Sequence, residues 1–316
     1  MKILITGGAG FIGSNLADKL LSAGDSVVVV DNFSDFYNPK IKESNIAHNL
    51  NNTNYKLYKI NIEDKQSLKS VFEENKIDIV IHLAARVGVR PSIETPDLYV
   101  QTNIMGTIHV LNLMKEFNIK KLIFGSSSSV YGNCKEELFS ENFAISKPIS
   151  PYAATKSACE QFCYTYSTLY NMQILCLRFF TVYGPRQRPD LAINKFVKLI
   201  KKDNPVTVFG DGTTKRDYTF VDDIVFGIIS AINYNKSQYE IINLGGGEPI
   251  ELNQMINIIS NELKVKAIIE KQPMQAGDVE KTSADITKAK KMLNYEPKTN
   301  FKDGIRKFME WEILNK

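Results

Sequence analysis

The chain opens on an apolar run that breaks at glycine: Lys2-Ile3-Leu4-Ile5-Thr6-Gly7-Gly8-Ala9-Gly10-Phe11-Ile12-Gly13. The run predicts a buried parallel strand, and the residues after it predict an amphipathic helix through Ala23. A second apolar strand, Ser26 to Val30, ends in Asp31. Strand, glycine turn, helix, strand and acid in that order form the dinucleotide-binding unit of a doubly wound sheet. Gly7 permits the tight turn. Gly10 lets backbone N–H groups approach a pyrophosphate at a helix N-terminus, where the dipole favours anions. Gly13 lets helix and strand pack closely. Asp31, 18 residues past Gly13, stands where a carboxylate can hold both adenosine ribose hydroxyls. A 2′-phosphate would face a negative charge there, so the expected cofactor is NAD.

Strands and helices alternate through the first 180 residues. Strands are predicted at 2–6, 26–30, 55–60, 78–83, 120–125 and 172–178. Helices are predicted at 12–23, 40–49, 64–74, 97–117 and 151–170. This rhythm implies an α/β fold, a Rossmann-type doubly wound parallel sheet with a smaller C-terminal substrate-binding lobe. Ligands of such sheets bind beyond the strands' carboxyl ends. Gly7, Asp31, Asn61-Ile62, Leu83-Ala84-Ala85, Ser126–Ser129 and Phe179–Tyr183 all fall at those ends. After Gly184 the rhythm changes to a basic, turn-rich loop, a helix near 191–202, a short strand at 206–209 and a Gly210-Asp211-Gly212 turn. A helix at 221–233 and a strand at 240–244 return to the main sheet, and two or three helices fill 250–316. The expected division is 1–180 plus about 217–250 for cofactor, and 181–216 plus about 251–316 for substrate.

With 43% hydrophobic residues the chain can bury a large core, and its net charge of +4 is spread over scattered lysines. No basic stripe interleaves with aromatics, so no nucleic-acid partner is expected. No apolar run reaches the 18 or so residues of a membrane span. Met1 leads straight into a strand, leaving no room for a signal peptide, which points to the cytoplasm. Cys134, Cys159, Cys163 and Cys176 lack metal-ligand pairing and read as reduced thiols. His82 sits inside a strand and reads as a packed core residue. No metal site is expected.

Three Tyr-x-x-x-Lys pairs occur. Tyr55/Lys59 lies on a predicted strand, where four residues span roughly 13 Å. Tyr131/Lys135 lies in a loop with Gly132. Only Tyr152/Lys156 starts a predicted helix, introduced by Pro151, with both side chains on one face. Ser126-Ser127-Ser128-Ser129 ends the preceding strand. A neighbouring ammonium and a cationic nicotinamide ring both favour a phenolate, which suits Tyr152 to general-base work.

Together these motifs, with Leu83-Ala84-Ala85 and Asn103, resemble an extended short-chain dehydrogenase/reductase over essentially the whole chain. Within it the chain resembles the nucleotide-sugar epimerases, and most closely their UDP-glucuronate 4-epimerase branch. The segments carrying that likeness are Asp31–Tyr37, Gly88-Val89-Arg90, and Leu177-Arg178-Phe179-Phe180-Thr181-Val182-Tyr183-Gly184-Pro185-Arg186-Gln187-Arg188-Pro189-Asp190. The resemblance implies C4 epimerisation of a UDP-sugar through a transient 4-keto sugar. It gives Tyr152, Lys156 and Ser127 the catalytic roles. Gly7, Gly10, Phe11, Ile12, Gly13, Asp31, Asn32, Asn61, Ile62, Leu83, Ala84, Ala85, Asn103, Ser126 and Phe179, with Tyr152 and Lys156, would hold NAD.

A 4-keto uronic acid is a β-keto acid and loses CO2 when its carboxylate aligns with the carbonyl π orbital. Small hydroxyl donors can hold it out of alignment, and Ser128, Ser129 and Thr181 are the candidates, beside Ser127. Arg90, Arg188 and Arg216 are candidate phosphate contacts, Arg216 for the pyrophosphate. Phe209 would flank the uracil, and Asp278 would touch the nucleotide ribose. In the resembled superfamily a helix pair such as 97–117 and 151–170 commonly forms a four-helix dimer interface, so the resemblance implies a homodimer, although the same apolar residues could equally be intrachain core. The alternatives are an epimerase acting on UDP-glucose or UDP-N-acetylglucosamine, a UDP-glucuronate decarboxylase, and a non-catalytic NAD-binding scaffold.

Overall fold

The computed structural model describes residues 1–274 and 279–314. Its strands, in chain order, begin with β1 (Lys2–Thr6), β2 (Ser26–Val30), β3 (Tyr55–Tyr58), β4 (Ile79–His82), β5 (Lys121–Ser127) and β6 (Gln173–Phe179). They continue with β7 (Thr181–Tyr183), β8 (Val206–Phe209), β9 (Lys215–Phe220), β10 (Tyr239–Leu244), β11 (Pro249–Glu251) and β12 (Ile269–Gln272). Seven strands form the main sheet in the order β10-β6-β5-β4-β1-β2-β3, every pair parallel. Helices cover both faces, so the central strands are apolar throughout: Ile3, Leu4, Ile5, Val29, Val80 and Ile81 are fully buried. The order reverses between β1 and β4. A crevice opens there beyond the carboxyl ends.

The helices are α1 (Phe11–Ser22), α2 (Pro39–Ile46), α3 (Lys65–Glu74), α4 (Val89–Glu94), α5 (Pro96–Tyr99), α6 (Gly106–Glu116) and α7 (Pro151–Tyr170). Further on come α8 (Ala192–Lys201), α9 (Val221–Asn233), α10 (Leu252–Leu263), α11 (Thr287–Leu293) and α12 (Phe301–Leu314). Two smaller sheets, β11-β9-β7 and β12-β8, stand apart from the main one. One buried cluster runs from Ile3 on β1 to Met309 on α12.

The single helix expected over 97–117 is three pieces: α5, a π-helical turn at Val100–Met105, and α6. Asn103 sits in that turn with its side chain buried, donating to Arg86 O and Thr155 Oγ1 and accepting from Arg86 N. A widened turn frees Asn103 for bonds to a neighbouring loop. Strands β7 and β9 lie in stretches for which the sequence predicts no strand. In β9, Lys215-Arg216-Asp217-Tyr218 is too polar to look like a strand, yet Asp217 is fully buried. Its carboxylate accepts the backbone N–H groups of Gly246, Gly247 and Ala284. Burial pushes the Asp217 carboxyl up, and those bonds pull it back.

Candidate active site

The crevice holds a cleft of about 590 Å³. The turn after β1 forms its floor. Gly7 takes φ +74°, and a Cβ there would stand 2.7 Å from Ala84 N. At Gly13 a Cβ would stand 2.3 Å from Gly7 O, so α1 reaches the turn only as glycine. Helix α1 begins at Gly10 with no side-chain cap. Its N-terminus, with no side-chain cap, faces the cleft, an arrangement suited to an anion.

Asp31 lies at the end of β2, and its carboxylate is 5% exposed. Oδ1 accepts Phe33 N at 2.9 Å and Lys42 Nζ at 3.2 Å, and Oδ2 accepts Ala9 N at 3.2 Å.

Opposite, α7 carries the central pair. Ser150 caps it by accepting Ala153 N at 3.1 Å, Pro151 opens its first turn, and Asn171 ends it in the left-handed conformation. Tyr152 and Lys156 stand four positions apart, and both reach the cleft. The Tyr152 ring meets Tyr99 edge-on at 6.3 Å. Lys156 is buried, its Nζ donating to Gly125 O at 2.7 Å and lying 4.9 Å from the Phe124 ring centroid. Ser127 ends β5 and caps the 3-10 turn Ser128–Tyr131, accepting Ser129 N at 3.2 Å and donating to Ser129 Oγ at 3.1 Å.

Behind this wall lies a buried ion pair. Arg178 on β6 donates to Glu160 on α7 through Nε at 2.9 Å and Nη2 at 2.8 Å. Ser126 Oγ donates to Glu160 Oε1 at 2.6 Å. The Arg178 guanidinium lies 4.7 Å over the Tyr131 ring, with Nη1 unpartnered. His82 is buried too. It bonds Thr6 Oγ1 at 2.6 Å and Thr107 Oγ1 at 3.0 Å. Burial, then the charge of Lys156, pushes its imidazole down to about 3, so it stays neutral and is no base for the cleft.

Of the expected residues, the cleft is lined by Gly7, Gly10, Phe11, Ile12, Gly13, Asp31, Asn32, Asn61, Ile62, Leu83, Ala84 and Ala85. Ser126, Ser127, Ser129, Tyr152, Lys156, Phe179, Thr181 and Arg188 complete that set. Five candidates do not line it. Asn103 instead pins Arg86 and Thr155. Ser128 opens the 3-10 turn after β5, while Ser127 and Ser129 line the cleft. Arg216 is placed on β9, where its Nη1 donates to Lys215 O at 2.9 Å and Glu280 O at 3.4 Å. Arg90 stacks on Phe209 at 5.2 Å, joining α4 to the end of β8. Asp278 lies outside the described residues.

Arg188 points its guanidinium at Asp190, with bonds of 3.0 and 2.8 Å, and lies 5.6 Å over the Phe36 ring. The cleft also includes residues the sequence reading passed over: Tyr37, Lys42, Glu63 and Arg86 among them. A lysine three residues before Asn45 on one short helix was the available signal for Lys42. Burial pushes the Tyr37 phenol well up.

Among the described residues no three His, Cys, Asp or Glu side chains group as metal ligands. The four cysteines are free thiols. No described helix is long and apolar enough to cross a membrane.

A family model described as GDP-mannose 4,6 dehydratase matches residues 4–308. A UDP-glucuronate 4-epimerase of Thermodesulfobacterium geofontis is 45% identical over 313 residues, covering 99% of this chain and 96% of the relative. The fold is similar to that of the Bacillus cereus UDP-glucuronic acid 4-epimerase solved with UDP-glucuronic acid and NAD. The TM-score is 0.93 at 36% identity, over 99% of each chain. It is also similar to a Thermotoga maritima UDP-glucose 4-epimerase solved with UDP-glucose: TM-score 0.91, 33% identity, 99% of each chain. A match from residue 4 to 308, joined to a glycine-lined crevice facing a helical Tyr-x-x-x-Lys pair, is decisive: the chain belongs to the extended short-chain dehydrogenase/reductases that this model describes.

Proposed function

We propose that this chain is an NAD-dependent 4-epimerase of UDP-sugars and that it converts UDP-glucuronate to UDP-galacturonate. The observation that carries the reading is the meeting of Tyr152, Lys156, Ser127 and the uncapped start of α1 in one cleft. The cleft's residues fit the dinucleotide. Bare N–H groups suit its pyrophosphate, Asp31 suits a ribose, and a Cβ at Gly10 would meet only Gly7 O at 3.2 Å, leaving room for close approach. Asn61, Ile62 and Leu83–Ala85 would flank its adenosine and nicotinamide ribose. Bound there, NAD would supply the acceptor and later the donor of the C4 hydride. The chain's own groups handle the proton. Tyr152 Oη removes it from the 4-hydroxyl and later returns it, Ser127 Oγ hydrogen-bonds O4, and the Lys156 ammonium favours the phenolate.

Two features favour the uronic acid. Thr181 and Ser129 bring small hydroxyl donors to the cleft beside Ser127, suited to holding a carboxylate out of line with a C4 carbonyl. Arg188, half-buried and paired with Asp190, adds a guanidinium to the same cleft. A homodimer is part of this proposal: Val100, Met105, Phe162 and Leu169 leave apolar surface exposed on the helices expected to pair.

The test is NMR of the product formed from UDP-glucuronate, UDP-glucose and UDP-N-acetylglucosamine in parallel. UDP-galacturonate from the first supports the reading. A UDP-pentose product, or turnover of the neutral sugars alone, overturns the substrate assignment.

A further inference from the structure

Asp31 has one open acceptor position, whereas a ribose has two hydroxyls to place. We propose that Lys42 reads the second: Asp31 Oδ2 accepts one adenosine ribose hydroxyl, and the Lys42 ammonium donates to the oxygen of the other. The inference rests on the NAD-dependent reading above and names a specificity residue within it.

A carboxylate offers about four lone-pair positions. Three are filled by Phe33 N, Lys42 Nζ and Ala9 N. The two on Oδ1 are spent, and Oδ2 keeps one. The ammonium has three N–H donors, one of which goes to Asp31 Oδ1. Its side chain is 11% exposed and lines the cleft. Nζ lies 5.4 Å from the Tyr37 ring centroid, which limits its swing.

Helix α2 fixes this placement. Asn45, three residues on and on the same face, donates to Ala9 O at 3.2 Å. Ala9 N in turn donates to Asp31. The helix therefore ties Lys42 to both the glycine turn and the acid. A buried lysine is costly unless its donors are used, and a hydroxyl oxygen at this spot would use one.

Binding calorimetry decides it, on the chain freed of endogenous nucleotide. NAD+ and its 2′-deoxy- and 3′-deoxyadenosine analogues are titrated into the unaltered protein, Lys42→Met and Lys42→Gln. Melting curves verify that each variant is folded, and Lys42→Gln is read if Lys42→Met is not. In the unaltered chain each analogue binds about tenfold or more weakly than NAD+. In the Lys42 variants NAD+ weakens by about that factor, and one of the two analogues shows no further loss. Equal analogue penalties in variant and unaltered protein overturn the inference while leaving the cofactor reading intact. No NAD+ binding by the unaltered chain overturns both.

Discussion

Glu160→Gln tests the packing that holds the central helix. The substitution keeps the side chain's shape and leaves an oxygen for Ser126 Oγ. What it removes is the countercharge of Arg178, a fully buried cation with two of its bonds on that carboxylate. Stripping one partner from a buried pair costs about 3–5 kcal/mol, against a total stability on the order of 5–15 kcal/mol for a folded domain. The double variant Glu160→Leu with Arg178→Met removes both charges and restores apolar volume. It forfeits the Ser126 hydrogen bond and the guanidinium stack on Tyr131, together about 1–2 kcal/mol. The single change should therefore destabilise more than the double. Urea unfolding followed by the fluorescence of Trp311, the one tryptophan, measures both. A loss below about 1 kcal/mol for Glu160→Gln, or a double variant as damaged as the single, refutes the reasoning.

Other outcomes follow from the geometry. Gly13→Ala should abolish NAD+ binding in a titration, because the new methyl would stand 2.3 Å from Gly7 O in the turn itself. His82 gives a pH dependence. With its buried imidazole held down to about 3, the unfolded chain takes up a proton below its ordinary value near 6.5 while the folded chain does not. The stability His82 contributes is thus complete above that value and is lost as pH falls toward 3, at up to about 1.4 kcal/mol per pH unit. His82→Gln should flatten that slope in urea melts at neutral and acid pH. Thr181→Ala should raise the fraction of UDP-pentose formed from UDP-glucuronate, read by NMR. An unchanged product ratio removes Thr181 from carboxylate control.

The main sheet was legible because parallel strands buried on both faces must be apolar throughout. Ile3–Ile5, Val27–Val30 and Ile79–Ile81 announce themselves that way. The Tyr152–Lys156 helix was legible from Pro151 in its first turn, and the structure adds Ser150 as its cap. Where tertiary contacts override local pattern, the reading failed. Residues 97–117 keep a helical period through a π turn whose cause, the bonding of Asn103 to Arg86, lies in another segment. Strand β9 is polar because Asp217 is matched to N–H groups about 30 and 67 residues away. Arg216 and Phe209 were assigned by family likeness alone, and the structure sets Arg216 on β9 and Phe209 at the end of β8 against Arg90. Lys42 went unseen because only the turn after β2 brings it to Asp31.

The central claim is that one cleft removes a hydride from C4 and a proton from the 4-hydroxyl of a tethered sugar, then returns the hydride to the opposite face of C4 and the proton to O4. UDP-glucuronate deuterated at C4 tests it, with unlabelled NAD+ in the solution and the product read by NMR. The account predicts UDP-galacturonate that still carries the deuterium at C4, and no such product from Tyr152→Phe. Deuterium lost to the medium, or full turnover by Tyr152→Phe, would contradict it.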